Sequence, residues 1–263
     1  MDFKPTTDNM DTLQKRNPHE RDDHILFDEP SHTYTIDGDS DYTSVTTWNH
    51  SHFKEFDADA IITNMMNGRN WTRSKYHGMT REEIKASWDK NRDEAASAGT
   101  AMHLDIEKHY NGLPVDNDST EYSYFKEFES DNPGLIPYRT EWTVWDKELK
   151  LAGSIDMVYE NDDGTLMIYD WKRSKGIVRN KPFEEHSHVD CISHIPDTNF
   201  WHYALQLNTY KRLLEKNYGK KVTVLRLVCL HPNQQSYQII DVPDLEEELD
   251  DLLKLRATNL KTK

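Results

Sequence analysis

The chain has 263 residues, with 47 acidic against 32 basic side chains and a formal net charge of -15. Two cysteines, Cys191 and Cys229, exclude a disulfide framework and a four-cysteine iron–sulfur cluster, no apolar run approaches the ~20 residues of a membrane span, and the polar start has no apolar core of a signal peptide. The expectation is a globular protein of the cytoplasm, the nucleus or a virus-infected cell, not secreted, whose acidity disfavours diffuse polyanion binding but leaves room for a local basic site.

Residues 1–23 are polar and aperiodic, with two prolines, and are expected to form a flexible tail ahead of a single domain over 24–263. Residues 24–36 and 42–47 read as short strands around the turn signal Asp37-Gly38-Asp39. Helical spacing runs through 53–67, with Phe53, Phe56, Ala60, Ile61, Asn64 and Met65 near one face. Residues 81–110 read as helix, with Gly99 a candidate break. Tyr122, Phe125 and Phe128 at three-residue steps make 119–130 helical, until Asn132-Pro133-Gly134 ends it. Then the period changes. Residues 138–145, 148–159 and 165–172 alternate or run apolar and read as strands, the last two a hairpin across Asn161-Asp162-Asp163-Gly164. A helix over 198–217, a strand over 222–231, an edge strand near 236–241 and a C-terminal helix from 244 follow. The acids at the start of that last helix suit its dipole.

Asp170 and Lys172 carry the chemistry. Two apart in a strand, they share a face, while Trp171 points the other way. The strand is apolar on both faces before them, as in the centre of a sheet, so both charges are partly desolvated and need a reason to be there. An acid-x-lysine pair alone is weak, since Asp2/Lys4, Glu83/Lys85 and Glu148/Lys150 repeat it, and a plain ion pair is the competing reading. Asp156 ends an apolar strand 14 residues earlier, and a hairpin at 161–164 can return it beside Asp170. Two carboxylates and a lysine at one sheet edge form a site for a hard divalent cation, Mg²⁺ or Mn²⁺, with the lysine placed to orient the attacking water. His103 and Glu107 share a helical face four residues apart, as do Gln206 and Tyr210.

In this order the strings GTAMH, LAGSIDMV, YDWKRS and YALQLNTY resemble the motifs of the RecB-like branch of the PD-(D/E)XK nucleases, which includes lambda-type, mitochondrial genome maintenance and phage or large-DNA-virus exonucleases. The resemblance spans roughly residues 42–230. It implies an α/β fold with a central mixed sheet flanked by helices. It implies metal binding by His103, Asp156, Asp170 and the backbone carbonyl of Trp171, with Lys172 assisting the water, so that Asp156, Asp170 and Lys172 are the catalytic set. Gln206 and Tyr210 would orient the substrate strand and the active-site loop, and Glu141 would be a supporting or water-mediated ligand, with Glu107 beside His103. The second acid is Asp170 where glutamate is commoner, which shortens its reach. The reaction implied is hydrolysis of phosphodiesters to 5′-phosphate products.

Lys172, Arg173, Lys175, Arg179 and Lys181 add five cations in ten residues. With Ser174, they are expected to contact phosphate. Trp71 and Arg73 are candidates for stacking on a single strand. His186, His188, Cys191 and His194 have ligand types suited to zinc and form a competing metal reading. The function expected is a Mg²⁺- or Mn²⁺-dependent DNA exonuclease acting in replication, recombination or repair, with DNA ends as substrate, no membrane, and room for a recombination or replication protein as partner. An endonuclease or junction resolvase on the same fold, and a non-catalytic DNA-binding module, are the alternatives.

Overall fold

The computed structural model describes residues 11–181 and 185–262. Among these, six strands form one mixed sheet and two more form a hairpin, with helices on both faces of the sheet. The expected α/β architecture is the one found.

The chain enters through helix α1 (Leu13–Arg16) and a 3₁₀ turn over Glu20–His24. Strands β1 (Ile25–Asp28) and β2 (Thr33–Ile36) form an antiparallel hairpin. The expected run over 24–36 is therefore two strands. Their turn at 29–32 ends on His32 with φ 52°. Strand β3 is only Thr43–Ser44. Residues 45–47, read as strand, open helix α2 (Val45–His50) instead, because the Ser44 side chain accepts the Thr47 N–H and caps it. Helix α3 (Ala58–Met66) starts later than its spacing suggests, at the Asp57 cap.

Helix α4 (Arg81–Tyr110) is one unbroken element of 30 residues. A capping box of Thr80 and Glu83 starts it, and Gly99 does not break it. Helix α5 (Thr120–Asp131) follows. Then come β4 (Ile136–Asp146), β5 (Leu151–Glu160) and β6 (Leu166–Lys172). Helix α6 (Asn199–Asn217), β7 (Val222–Cys229), β8 (Gln238–Asp241) and α7 (Glu246–Lys261) complete the chain. The sheet runs β3-β5-β6-β7-β8, with β4 also paired to β5. The β6–β7 and β3–β5 pairs are parallel and the rest antiparallel.

Two apolar layers cover the sheet. On one side Trp142, Ile155, Ile168 and Leu227 pack with residues of α2, α6 and α7, such as Trp48, Leu205 and Leu249. On the other, Met157, Tyr159, Tyr169, Trp171 and Val228 pack with Leu13, Met102, Ile106, Phe125 and Phe128. Helix α6 comes close to β5 because position 153 is glycine. A Cβ there would lie 2.8 Å from the Tyr210 ring and 2.9 Å from its hydroxyl.

Of the expected tail, residues 1–10 lie outside the described residues, and residues 11–23 are not a tail. Leu13 is buried. The Arg139 guanidinium donates to Asp22 Oδ2 at 2.8 Å and to the Asn17 carbonyl at 2.9 Å, and the Trp142 indole donates to Asp22 Oδ1 at 3.0 Å. Sequence polarity concealed this, because Asp22 is buried only against a partner more than a hundred residues away. Asp22→Ala should leave Arg139 charged, buried and unpaired, and cost roughly 3–5 kcal/mol of stability. A urea melt checks this. A loss within about 0.5 kcal/mol, the range of ordinary surface changes, would show that the segment does not belong to the fold.

Candidate active site

Two irregularities in neighbouring strands build the site. The β5–β6 ladder runs from Glu160 opposite Leu166 to Met157 opposite Tyr169, and there it stops. Asp156 and Asp170 are the next pair in register. Beyond them the same edge of β5 takes up β3, at Leu151 and Ala152. The Asp156 carboxylate enters this fork. Its Oδ2 accepts the backbone N–H of Trp171 at 2.9 Å, satisfying a donor on the edge that β5 has left.

The second irregularity lies on β4. Ile155 belongs to the α6 side of the sheet and Met157 to the α4–α5 side. In a regular strand, residues two apart share a face. The switch falls on Asp156 and on Glu141, the position opposite it in the β4–β5 register. Glu141 has φ 45°, a left-handed conformation that costs a non-glycine residue roughly 1–2 kcal/mol. Strain of this kind collects where a side chain must be aimed. The Ser154 hydroxyl donates to Glu141 Oε2 at 2.8 Å and holds it.

Helix α4 supplies the third group. Met102 and Ile106 anchor it in the core and leave His103 facing the fork. Its Nε2–H donates to the Trp171 carbonyl at 3.0 Å. Nδ1 lies 3.5 Å from Asp156 Oδ2 and 3.7 Å from Glu141 Oε1. Ligand atoms of His103, Glu141 and Asp156 all lie within 4.8 Å of one another, the one such set among the described residues. One imidazole and two carboxylates fit a hard divalent cation.

Asp170 is 2% exposed. Its Oδ2 meets the Lys172 ammonium at 2.6 Å and has no other hydrogen-bond partner, an oxygen with capacity to spare for a cation. Lys172 also lies 4.6 Å from the centre of the Tyr203 ring. Burial raises the pKa of Asp170 to about 6 against the pull of Lys172, and Asp156 adds to the rise. Burial likewise raises Asp156, against His103 and Lys172. For Lys172, burial opposes the charge, but Asp170 and Asp156 outweigh it and raise the pKa above its ordinary value. Lys172 is therefore a cation at neutral pH, a group that holds water and negative charge without removing a proton. Burial lowers His103, yet Asp156 and Glu141 prevail and raise it to about 9.

A sequence model of the PD-(D/E)XK nuclease superfamily matches residues 68–262, a span that contains this whole cluster. The chain belongs to the PD-(D/E)XK nuclease superfamily. Among solved structures it is similar to SSO0001, at 13% identity and TM-score 0.37, covering 86% of this chain and 78% of that one. It is also similar to a candidate exonuclease from Eubacterium rectale, at 15% identity and TM-score 0.28, covering 60% of this chain and 72% of that one. Both are too distant to bear on chemistry. No curated protein matches the sequence.

In this superfamily member the structure brings His103 and Asp156 together at the Trp171 backbone, with Glu141 in the same set of ligand atoms, and holds Asp170 and Lys172 as a buried pair on the same strand as Trp171. Glu107 lines the adjoining cleft. Burial and the Glu141 charge raise its pKa. The Gln206 side-chain amide donates to the Tyr210 hydroxyl at 3.4 Å, and burial raises the Tyr210 phenol well above its usual range. Tyr203 went unread in the sequence. It lies three residues before Gln206 and seven before Tyr210, and that helical spacing was the available signal.

The basic run does not form one patch. Arg173 pairs with the buried Glu121 at 2.6 Å. Arg179 lies over Phe200, 4.0 Å from the ring centre, and donates to the Asp241 carbonyl. Lys181 donates to the Asp197 carbonyl and Ser174 to the Gly176 carbonyl. Lys175 is exposed. Trp71 and Arg73 sit in a 3₁₀ turn between α3 and α4, not on the cleft beside His103. His186, His188, Cys191 and His194 do not converge on a metal geometry. Cys191 packs against the α6-side core and His194 faces Glu248 at 3.2 Å. Of the other acid-x-lysine pairs, Glu148 meets Lys216, Lys150 meets Asp39, Glu83 caps α4 and Lys85 meets Asp59. Asp2 and Lys4 lie outside the described residues.

A cation binds neutral imidazole, so His103 must lose its proton first. With a pKa of about 9, it is protonated at pH 7, and Mn²⁺ binding there should release a proton. Affinity should rise with pH up to about 9. Calorimetry in two buffers of different ionisation enthalpy reads the release directly. An unchanged apparent enthalpy between the buffers would overturn uptake of the cation by a protonated His103.

Proposed function

We propose that the protein is a metal-dependent DNA exonuclease, hydrolysing phosphodiester bonds with Mg²⁺ or Mn²⁺ in DNA replication, recombination or repair. The observation that supports this most is the convergence of His103, Glu141 and Asp156 beside the buried Asp170–Lys172 pair. In this reading His103, Asp156 and Asp170 hold the cation, with the Trp171 carbonyl and Glu141 completing the donor set. A divalent cation there would neutralise phosphate charge and lower the pKa of a nearby water.

The protein's own groups do the remaining work. Lys172, fixed as a cation between Asp170 and Tyr203, holds the attacking water and stabilises charge that develops on it. Glu141 keeps one carboxylate oxygen on the Ser154 hydroxyl and turns the other to His103 at the cleft. Tyr210 walls off the α6 side of the fork, and Gln206 faces it on the same helix. The cleft next to the fork has a volume of 720 Å³, within the ~300–1,000 Å³ of small-molecule sites. A nucleotide fits within such a volume, in a cleft that is open to solvent. The exposed Lys175 is the member of the basic run best placed to meet phosphate.

Cleavage of end-labelled DNA should require Mg²⁺ or Mn²⁺ and vanish with EDTA. A circular single strand should survive while a linear one is degraded. Cutting of the circle would favour an endonuclease, and full activity after chelation would remove the metal mechanism.

Two substitutions separate the roles. Asp170→Ala should abolish both metal affinity and turnover. Lys172→Ala should keep the metal and lose roughly 10²–10⁴-fold in rate, with DNA binding in Ca²⁺ nearly unchanged. Wild-type turnover by Lys172→Ala would show that this lysine is a structural ion pair only.

A further inference from the structure

Among the exposed large apolar side chains of the described residues, two, Phe27 at 36% and Leu104 at 47%, line the same cleft as His103. They come from different elements, Phe27 from the β1–β2 hairpin and Leu104 from α4. Burial elsewhere does not require either. On the hairpin, Ile25 pairs with Ile36 and Phe27 with Tyr34. Residues 25 and 27 share a face. The first pair is buried against Trp145 and Ala152. Tyr34 of the second pair packs into the same cluster, and Phe27 and Tyr34 both line the cleft.

The rings are ordered there. Phe27 stacks on Tyr34 with centroids 4.5 Å apart and planes 25° from parallel. Tyr34 is buried and forms the base of the stack. His32, turned in by its left-handed backbone, meets Phe27 edge-on at 5.2 Å. Phe27 lines the cleft and remains partly exposed to solvent.

The charges of the lining point away from phosphate. Glu29, Glu107 and Glu141 share the cleft with these rings. Apart from a cation at the fork, the wall repels a nucleic-acid backbone and offers a π-face and an aliphatic side chain instead. An unpaired base carries no charge and has a flat aromatic surface. Base-on-aromatic stacking is worth a large share of single-strand affinity and tolerates any base.

We infer that the β1–β2 hairpin is a nucleobase platform, on which Phe27 stacks an unpaired base of the strand whose phosphate lies at His103, Glu141 and Asp156, with Leu104 as the aliphatic contact from α4. The inference rests on the reading of the cleft as a nuclease site. It names the substrate as a single-stranded or frayed end, because a base inside a duplex has both faces covered.

The test uses the full chain in Ca²⁺ with short single strands carrying 2-aminopurine at successive positions from each end. One position should be quenched on binding. Phe27→Ala should remove that quench and weaken binding about 5- to 150-fold, the span of one base–aromatic stack. Phe27→Trp keeps a π-face and should retain both. Leu104→Ala should weaken binding less. An abasic residue at the quenched position should bind wild type and Phe27→Ala equally. Unchanged affinity and quench in Phe27→Ala, or equal loss in the Ala and Trp variants, would overturn the platform. A protein that cleaves DNA with Mg²⁺ but binds and quenches independently of Phe27 keeps the nuclease reading and loses this one. A protein that quenches through Phe27 and cleaves nothing does the reverse.

Discussion

One hydrogen bond organises the site: the Trp171 N–H donated to the Asp156 carboxylate at 2.9 Å. Two paired strands can separate inside a protein only if the backbone groups they abandon find partners. Asp156 is that partner. The bond places Asp156 against the β6 backbone, where its ladder with β5 has just ended. The carbonyl of the same residue, Trp171, accepts from His103. A single peptide segment therefore fixes both the strand acid and the helix imidazole, and Trp171 is itself locked by Phe125 and Phe128 packed edge-on against its ring.

The cluster that results is expensive as bare protein. His103 lies within 4 Å of the carboxylates of Glu141 and Asp156, the Lys172 ammonium pairs with Asp170, and both aspartates are buried. Its electrostatics resolve the conflict locally. His103 and Lys172 retain protons, and Asp170 moves towards neutrality. Burial and specific charge partners shift pKa values in this way at functional sites, and in structural ion-pair networks as well. The strained backbone of Glu141 favours the functional reading. Elsewhere the protein balances its buried charges in ordinary ways, as with Arg139 and Asp22.

Charge read along the chain and charge arranged in space diverge sharply here. Five cations follow the strand acid in sequence, yet Arg173 is spent on Glu121 and Arg179 on Phe200 and Asp241. Conversely, the hairpin at the cleft, which has no cationic signature, presents an ordered stack of rings.

The sequence by itself determined the sheet strands from β4 to β8, the helices α5 and α6, and the company of Asp156 with Asp170 and Lys172. Those features follow from period: alternation sets strand faces, and a turn at 161–164 sets the register that carries Asp156 to Asp170. Family resemblance supplied His103, Gln206 and Tyr210. Sequence could not determine that Glu141 lies within reach of His103, that Tyr203 borders Lys172, that residues 11–23 are packed, or that Arg173 is paired. Each of these depends on a partner distant in the chain or on a backbone torsion that no local pattern signals. The strand reading of residues 45–47 failed for the opposite reason, a purely local one: the hydroxyl of Ser44 caps a helix where β-branched residues favour a strand. Tertiary structure decided the site because the site is built from departures, a ladder that ends and a strand that switches faces, while periodicity reports only the regular geometry on either side of them.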